Sequence, residues 1–494
     1  MRNFSKSKLM ALRQCPKRFW LEIHQPELRQ DSSNTQANFQ VGKIARQVFD
    51  PENLGTLVDV PTLGVPQALT QSAQLMLQTR PVFEAGFAAE GALAFADVMQ
   101  AVWIDGQTGW QMIEVKASTS VKDYHRDEVA IQTYVAKCGG VNLHSVGLAL
   151  IDSSWTYPGD GDYQGLFKVQ DLSDEAFARS VEVKSWIDAA TAIAAVATEP
   201  EIGTGAHCDA PYACGFYTHC SRDHALAARP LHWLPYFGGK AQTLATQGIL
   251  DMADVPNDLL NPKQLRVKTH TLNQTFFFDA AGAAADLAPH SLPAYFLDFE
   301  TIQFAVPIWT GTRPYQQNCF QFSLHRLSAS GVLTHTEFLD TSGADPALPF
   351  AQALIDACGV SGPVYVYNAS FECSRMRELA TRYSALSPDL LAIVARVVDL
   401  LPIARERYYH PSQQGSWSIK KVLPAIVPEL RYDALDGVQD GGMAMDAFFE
   451  AIHPNTSTTR RAVIRQQLLA YCCLDTYAMV RLWQVFAGRT DLKL

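Results

Sequence analysis

Apolar positions along the chain change their period several times, and each change marks an element. Within residues 1–50, Leu9, Leu12, Phe19 and Trp20 recur at helical spacing, which predicts amphipathic helix. From about 83 to 117 the pattern alternates as a strand does, interrupted by Asp105-Gly106, a dipeptide favoured in two-residue hairpin loops. Helical spacing returns over 125–137 and 173–197, and a cysteine-bearing loop occupies 203–222. Between about 226 and 285 the pattern predicts short helices joining two larger units. A compact apolar strand at 294–300 opens the second unit, after which strands and helices alternate. The expected organisation is α/β throughout: a domain over 1–225, a helical connector over 226–285 and a domain over 286–494. A chain of 494 residues is too long for one core.

Strand alternation places Glu114 and Lys116 on one face, with Ile113 and Val115 on the other. If Asp105-Gly106 alone is the loop, Asp97 falls opposite Glu114; a longer loop through Gly109 would shift that register. Two carboxylates and a lysine in one patch suit metal-assisted phosphodiester hydrolysis. Asp97 and Glu114 would hold Mg²⁺ or Mn²⁺ through oxygen, and Lys116 would position water and stabilise developing negative charge. The plain alternative is a surface hairpin with solvated charges. Asp97…Glu114-Val115-Lys116 resembles the PD-(D/E)XK motif of RecB-like nucleases. That resemblance implies a restriction-endonuclease-like fold, catalytic roles for Gln132 and Tyr134 on the following helix, and an acidic position at Glu84. Gly42-Lys43-Ile44-Ala45-Arg46 departs from it, because relatives often carry a metal-binding His in that early helix.

Ten cysteines in a chain expected to be cytoplasmic argue for metal ligation or buried thiols rather than disulfides. Cys208, Cys214 and Cys220 are spaced C-x5-C-x5-C, and Cys15 is the candidate fourth ligand. This arrangement resembles RecB-like nucleases that bear a [4Fe-4S] cluster, with one cysteine before the nuclease core and three after it. Their usual C-x2-C-x5-C spacing is tighter in its first gap. Zn²⁺ held by the same thiolates, with His207 or His219 as substitutes, is the alternative, and free thiols are the third reading. Cys138, Cys319, Cys358, Cys373, Cys472 and Cys473 lack ligand spacing and read as core thiols.

In Tyr295-Phe296-Leu297-Asp298-Phe299-Glu300, Asp298 and Glu300 share one strand face, an expensive arrangement unless a cation neutralises it. Tyr471 and Asp475, four apart in a helical stretch, share a helix face. Together they resemble DEDD exonucleases of the RNase H-like fold, in the subclass ending Tyr-x3-Asp. The resemblance implies that Asp298, Glu300 and Asp475 bind two metal ions while Tyr471 orients the nucleophilic water. Residues 364–372 read as a strand running into a helix capped by Ser370, with Glu372 where relatives carry Asp. Asp399 reads as a supporting residue.

Composition changes little in this picture. Apolar residues make up 48% and charged residues 18%, as in ordinary folded proteins, and no run of 18 apolar residues suggests a membrane span. The N-terminus lacks a secretory signal, so a cytoplasmic location is expected. A net charge of −10 excludes simple coating of nucleic acid but not an enzyme that gathers carboxylates around metal ions. Lys420 and Lys421 are candidate phosphate contacts, as are Arg405, Arg407, Tyr408 and Tyr409, and Arg13, Lys17 and Arg18 for a single-strand channel. No G-x-x-x-x-G-K-[ST] loop exists. The motif order resembles a bacterial two-nuclease family joining a RecB-like to a DEDD-like domain. It implies a Mg²⁺/Mn²⁺-dependent nuclease acting on DNA, at single strands or ends, in repair or defence. The alternatives are a scaffold that binds nucleic acid through decayed sites, and an RNA-trimming exonuclease.

Overall fold

The computed structural model describes residues 3–30, 36–104, 106–222, 227–489 and 491–492, with side chains from 40 onward in the second of these segments. Asp105, half of the expected hairpin dipeptide, lies outside the described residues. The chain is mixed α/β and forms two compact units: Met1–Ala225 with Phe304–Gln316, and Leu226–Gln303 with Gln317–Leu494. Among the described residues no helix is long and apolar enough to cross a membrane.

The first unit is built on a mixed seven-stranded sheet. Val82–Ala89, Ala92–Ile104 and Gln107–Lys116 form an antiparallel meander, and Leu143–Ile151 pairs parallel to Gln107–Lys116 after the crossover helix Asp123–Cys138. Small buried residues Ala92, Ala94 and Ala96 leave room for that helix, which buries Val129, Ala130, Ile131, Val135 and Ala136 in the same core. The meander runs from Val98 opposite Ile113 to Ile104 opposite Gln107, the register a two-residue loop imposes. Gly106 at φ +76° meets the left-handed requirement of such a loop.

The second unit carries a five-stranded sheet ordered Leu333–Leu339, Asn318–Leu327, Ala294–Ile302, Val364–Val366, Val397–Asp399. The first three strands are antiparallel and the last two join in parallel. One apolar cluster places Leu297, Phe299 and Val366 with Phe350, Leu354 and Met376 of flanking helices. Another places Phe296 and Tyr365 with Met479 and Trp483 of the long helix Thr458–Phe486, whose N-terminus Ser457 caps through Arg460 N.

Three expectations are corrected. The 226–285 stretch is not a connector: Leu231, Leu234, Phe237, Met252, Val255 and Val267 share a core with Leu400, Tyr408 and Trp483 of the second unit. Phe304–Gln316, expected within the second domain, belongs to the first unit. Val306 packs with Val41, Ile151 and Leu166, and Tyr157 N donates to Thr312 O at 3.0 Å. Ser370 is the first residue of its helix rather than the cap, which is Ala369 with no side-chain bond. The carboxylate of Asp399, on the neighbouring strand, accepts from Asn368 N and Ala369 N at 2.9 and 3.0 Å and so holds the turn that leads into the helix.

Candidate active sites

The strand registers of the first unit set three acids in a row. Glu84 lies between pairs Phe83–Val98 and Ala85–Ala96 and so stands beside Asp97, which in turn stands beside Glu114. Glu84 has φ +57°, a left-handed conformation in mid-strand that a non-glycine residue adopts at a cost of about 1–3 kcal/mol. These acids line a cleft of about 490 Å³ with Lys6, Gly42, Lys116, Lys122, Tyr124, His125 and Tyr212.

Two ammonium groups already face the carboxylates. Lys116 Nζ donates to Glu114 Oε1 at 2.8 Å and also bonds Glu128, while Lys6 Nζ reaches Glu114 Oε1 at 2.6 Å. Burial opposes ionisation of Glu114, but Lys116, Lys6 and the Gln132 amide overcome it and hold its carboxyl well below the usual range. Asp97 goes the other way, pushed up to about 8 by burial and the Glu114 charge. Its Oδ2 accepts from Val115 N at 2.7 Å. Gln132 Nε2 donates to Phe95 O at 2.7 Å and to Glu114, orienting that acid.

Tyr134 does not join the cleft. Two residues beyond Gln132 on the same helix, it faces roughly the opposite side and interacts with Cys138, Glu90 and Asp188. Lys6 is the residue that sequence reasoning missed: it is 108 positions from Glu114, and no local pattern joins them. Gly42 lines the cleft with nothing within 4 Å of an added Cβ, so the early-helix position lacking His opens onto the acids.

Cys15 ends the helix Lys6–Gln14 and begins the helix Pro16–His24 in an extended conformation, with no capping bond from its side chain. Gln14 Nε2 donates to His207 O and Tyr212 O, both at 2.7 Å, stitching this corner to the cysteine loop. Cys214 N donates to Cys208 O at 2.7 Å, and Trp20, Leu21 and Phe216 pack against Cys214 and Cys220. Burial raises the thiols of Cys214 and Cys220, which also feel each other and Cys15. Among the described residues, no three of these four Sγ atoms lie within 4.8 Å of one another. The basic residues beside Cys15 are engaged elsewhere: Arg13 with Asp127 at 3.0 Å, Lys17 with Glu199 at 2.7 Å and Arg18 with Glu22 at 3.1 Å. They do not form a free channel lining. His219 likewise faces Glu199 at 3.1 Å.

In the second unit, Asp298 and Glu300 project from the central strand toward the helix carrying Tyr471, Cys472 and Asp475. Asp298, Glu300 and Cys472 each bring one ligand atom within 4.8 Å of the others. Burial raises Asp298 well above the usual carboxylate range, reinforced by Asp475, Glu300 and Glu372. Burial and Asp475 do the same to Glu300, with Lys420 opposing. Burial lifts Asp475 to about 6 against the hydroxyls of Tyr432 and Tyr471 and the charge of Lys420, and lifts Glu372 to about 8. Glu372 is buried, and its Oε2 has no hydrogen-bond partner.

Tyr432, not anticipated from sequence, donates its hydroxyl to Asp475 Oδ1 at 2.6 Å. Lys420 sits 4.8 Å over the Tyr471 ring and 5.3 Å over that of Tyr432, with Nζ donating to Gln439 O at 3.0 Å. Lys421 is bound instead to Gln414. Arg407 is taken by Asp279 and Asp286 at 2.7 and 2.8 Å, and Tyr408 and Tyr409 are buried, so of that group Arg405, which lines a separate pocket with Tyr236 and Trp417, is left as a candidate phosphate contact.

A family model described as a domain of unknown function (DUF2779) matches residues 295–418. The match takes in Asp298, Glu300, Glu372 and Asp399 and ends before Lys420, Tyr432 and Asp475. No curated protein matches the chain.

Proposed function

We propose that this protein is a divalent-metal-dependent nuclease that hydrolyses phosphodiester bonds in DNA, with its principal centre at Asp298, Glu300, Glu372 and Asp475. One observation carries this reading. The strand Ala294–Ile302 and the helices Ser370–Arg382 and Thr458–Phe486 converge four acids. Burial opposes ionisation of all four, neighbouring carboxylates add to it at Asp298, Glu300 and Glu372, and Glu372 leaves a buried oxygen without a partner. Such a set is costly alone and favourable around cations. Held by Asp298, Glu300 and Asp475, Mg²⁺ or Mn²⁺ would supply Lewis acidity and make water a better nucleophile at neutral pH. Tyr432 and Tyr471 orient Asp475 through their hydroxyls, and Lys420 adds positive charge beside the acids for the phosphate oxygens. This reading takes the unit as RNase H-like and DEDD-type.

The first unit reads as a RecB-like PD-(D/E)XK nuclease domain, with Asp97, Glu114, Lys116 and Gln132 in catalytic positions. Its four cysteines suit a [4Fe-4S] cluster, with the Cys15 corner tied to the cysteine loop through Gln14 and the loop packed on Trp20 and Leu21. A second reading for this unit alone rests on Lys6. Its ammonium already neutralises Glu114, as expected of a nucleic-acid-binding scaffold that has lost its metal.

The deciding assay is Mn²⁺-supported cleavage of end-labelled single- and double-stranded DNA and RNA, with an EDTA control. DNA cleavage abolished by EDTA is expected. Absence of cleavage on every substrate by cluster-intact protein would remove the nuclease reading, and preference for RNA would move it to RNA trimming.

Two predictions concern the first centre, read in an Asp298→Asn background. Gln132→Ala is expected to lower residual cleavage about 10-fold by releasing Glu114, whereas Tyr134→Phe leaves it unchanged. Equal losses in both would place Tyr134 in the site after all. Lys6→Met is expected to lower metal-free stability by about 1–3 kcal/mol, because Glu114 keeps only one of its two ammonium partners, and millimolar Mn²⁺ should restore much of that. Thermal melts with EDTA and with Mn²⁺ measure both terms, and an unrecovered loss would favour the scaffold reading.

A further inference from the structure

On the helix Thr458–Phe486, Cys472 faces the carboxylate centre, and the next residue, Cys473, faces a different set of ligands. His325 and His335 are directly opposed across the antiparallel pair Asn318–Leu327 and Leu333–Leu339, with ring centroids 4.5 Å apart. One ligand atom from each of His325, His335 and Cys473 lies within 4.8 Å of the other two. We propose that His325, His335 and Cys473 form a Zn²⁺ site, separate from the carboxylate centre, with Glu337 as its fourth ligand.

The donor set selects the ion. Two imidazoles and a thiolate suit a borderline-soft cation such as Zn²⁺, whereas Mg²⁺ takes oxygen ligands. The outer contacts also have the right form. Metal-binding histidines use the second ring nitrogen to fix their orientation. Thr476 Oγ1 lies 2.8 Å from His325 Nδ1, which leaves Nε2 to bind. Ser323 Oγ lies 2.8 Å from His335 Nε2, which leaves Nδ1, the nitrogen 3.9 Å from Glu337 Oε2. Thr476 and Ser323 are themselves bonded at 2.7 Å, so one hydroxyl pair positions both rings. Glu337 shares a strand face with His335, two residues away, and is the charged group acting on the Cys473 thiol. His335 and Glu337 reach solvent, which gives an ion an entry path, while His325 is buried. Ligands on a tetrahedral Zn²⁺ stand roughly 3.3–3.8 Å apart, so binding requires the three to close by no more than about 1 Å.

The ion would tie the edge hairpin to the helix that carries Tyr471 and Asp475. The test uses the full-length chain, dialysed against EDTA, with the wild type compared with Cys473→Ser and His335→Ala. Both are titrated with Zn²⁺ against a chromophoric chelator, and with Co²⁺ to read a thiolate-to-metal band. The Cys15, Cys208, Cys214 and Cys220 set is identical in all arms, so only differences are read. The wild type is expected to bind one more Zn²⁺ per chain than either variant, or the same ion about 100-fold more tightly. Its Co²⁺ difference spectrum should show the thiolate band and tetrahedral absorption. Far-UV circular dichroism and a metal-free melt check that the variants fold; His335→Ala, at an exposed position, serves if Cys473→Ser does not. Equal zinc stoichiometry and affinity in the wild type and the folded variants, or no thiolate band in the difference spectrum, overturns the site. The readout is metal content rather than cleavage, so the result does not depend on whether the protein is a nuclease.

Discussion

Asp298→Asn is expected to lower metal-dependent DNA cleavage by roughly 10³-fold, a loss of about 4 kcal/mol of transition-state stabilisation. Asp298 is the acid that the others press upon most: Asp475, Glu300 and Glu372 all raise it. The amide keeps the shape of the side chain but offers a neutral oxygen where a cation needs a charged one. A folded, DNA-binding Asp298→Asn protein cutting at the wild-type rate would rule out this centre as the source of activity. Asp97→Asn, compared in parallel, apportions any residual cleavage to the first unit.

The same substitution should stabilise the metal-free protein at alkaline pH. Asp298, Glu300, Glu372 and Asp475 are all raised in the folded state, so folded protein retains protons that the unfolded chain has released. When the folded state binds more protons, stability falls as pH rises. The fall begins near the unfolded carboxylate values of about 4 and continues to the folded values. With Glu372 pushed up to about 8, the window extends from about pH 4 to about pH 8. In EDTA, Asp298→Asn at pH 8 should therefore be about 1–3 kcal/mol more stable than wild type, with a shallower pH slope. Mn²⁺ should reverse the order, because it binds the folded wild type more tightly than the variant. Denaturant melts at pH 5 and pH 8, with and without Mn²⁺, measure all four terms. A wild type that gains stability from pH 5 to pH 8 in EDTA would contradict the assigned directions.

What was legible in the sequence follows from how local each signal is. A two-residue loop fixes register, so the dipeptide offered Asp97 beside Glu114 with a longer loop through Gly109 as the alternative, and the observed pairing from Val98–Ile113 to Ile104–Gln107 is the one the two-residue loop requires. The Asp298–Glu300 strand and the Tyr471–Asp475 helix face were legible for the same reason: side-chain period is a local property. Lys6 and Tyr432 were not legible in their roles, because each reaches its acid through tertiary packing; Lys420 was read as a candidate phosphate contact, but its place over Tyr471 and Tyr432 was not legible. Cys472 and Cys473 read as core thiols since ligand spacing is sought along the chain, while their neighbours come from three strands more than 130 positions upstream. Ser370 suited a cap by residue type, but the turn before it is held by Asp399 from the adjacent strand and the helix begins one residue earlier than a Ser370 cap would set it. The stretch near 226–285 looked like a connector because its short helices carry few apolar residues each. Only in the fold do Leu231, Phe237, Met252 and Val267 add up to one face of a core.

Under the proposed cluster assignment, Cys15→Ser should lower the iron content of the protein and loosen the first unit. Cys15 lies at the junction of two helices whose neighbouring side chains, Gln14 and Trp20, hold the cysteine loop and its apolar packing. A cluster bound by Cys15, Cys208, Cys214 and Cys220 would close a loop of nearly two hundred residues. Binding energy of that kind becomes folding energy when the unfolded chain cannot form the site. Anaerobically purified wild type is expected to be brown with four irons and four acid-labile sulfides per chain. Cys15→Ser should lose most of both, melt at lower temperature by several kcal/mol of stability, and become open to proteolysis across 199–222. Cys358→Ser is the control: its thiol is fully buried in the second unit, so it can change stability but should leave iron content intact. Colourless wild type with one zinc lost on Cys15→Ser would replace the cluster by a mononuclear site. Full iron content in Cys15→Ser would show instead that the fourth ligand lies elsewhere, and that the corner between the first two helices is held by Gln14 and Trp20 without help from metal.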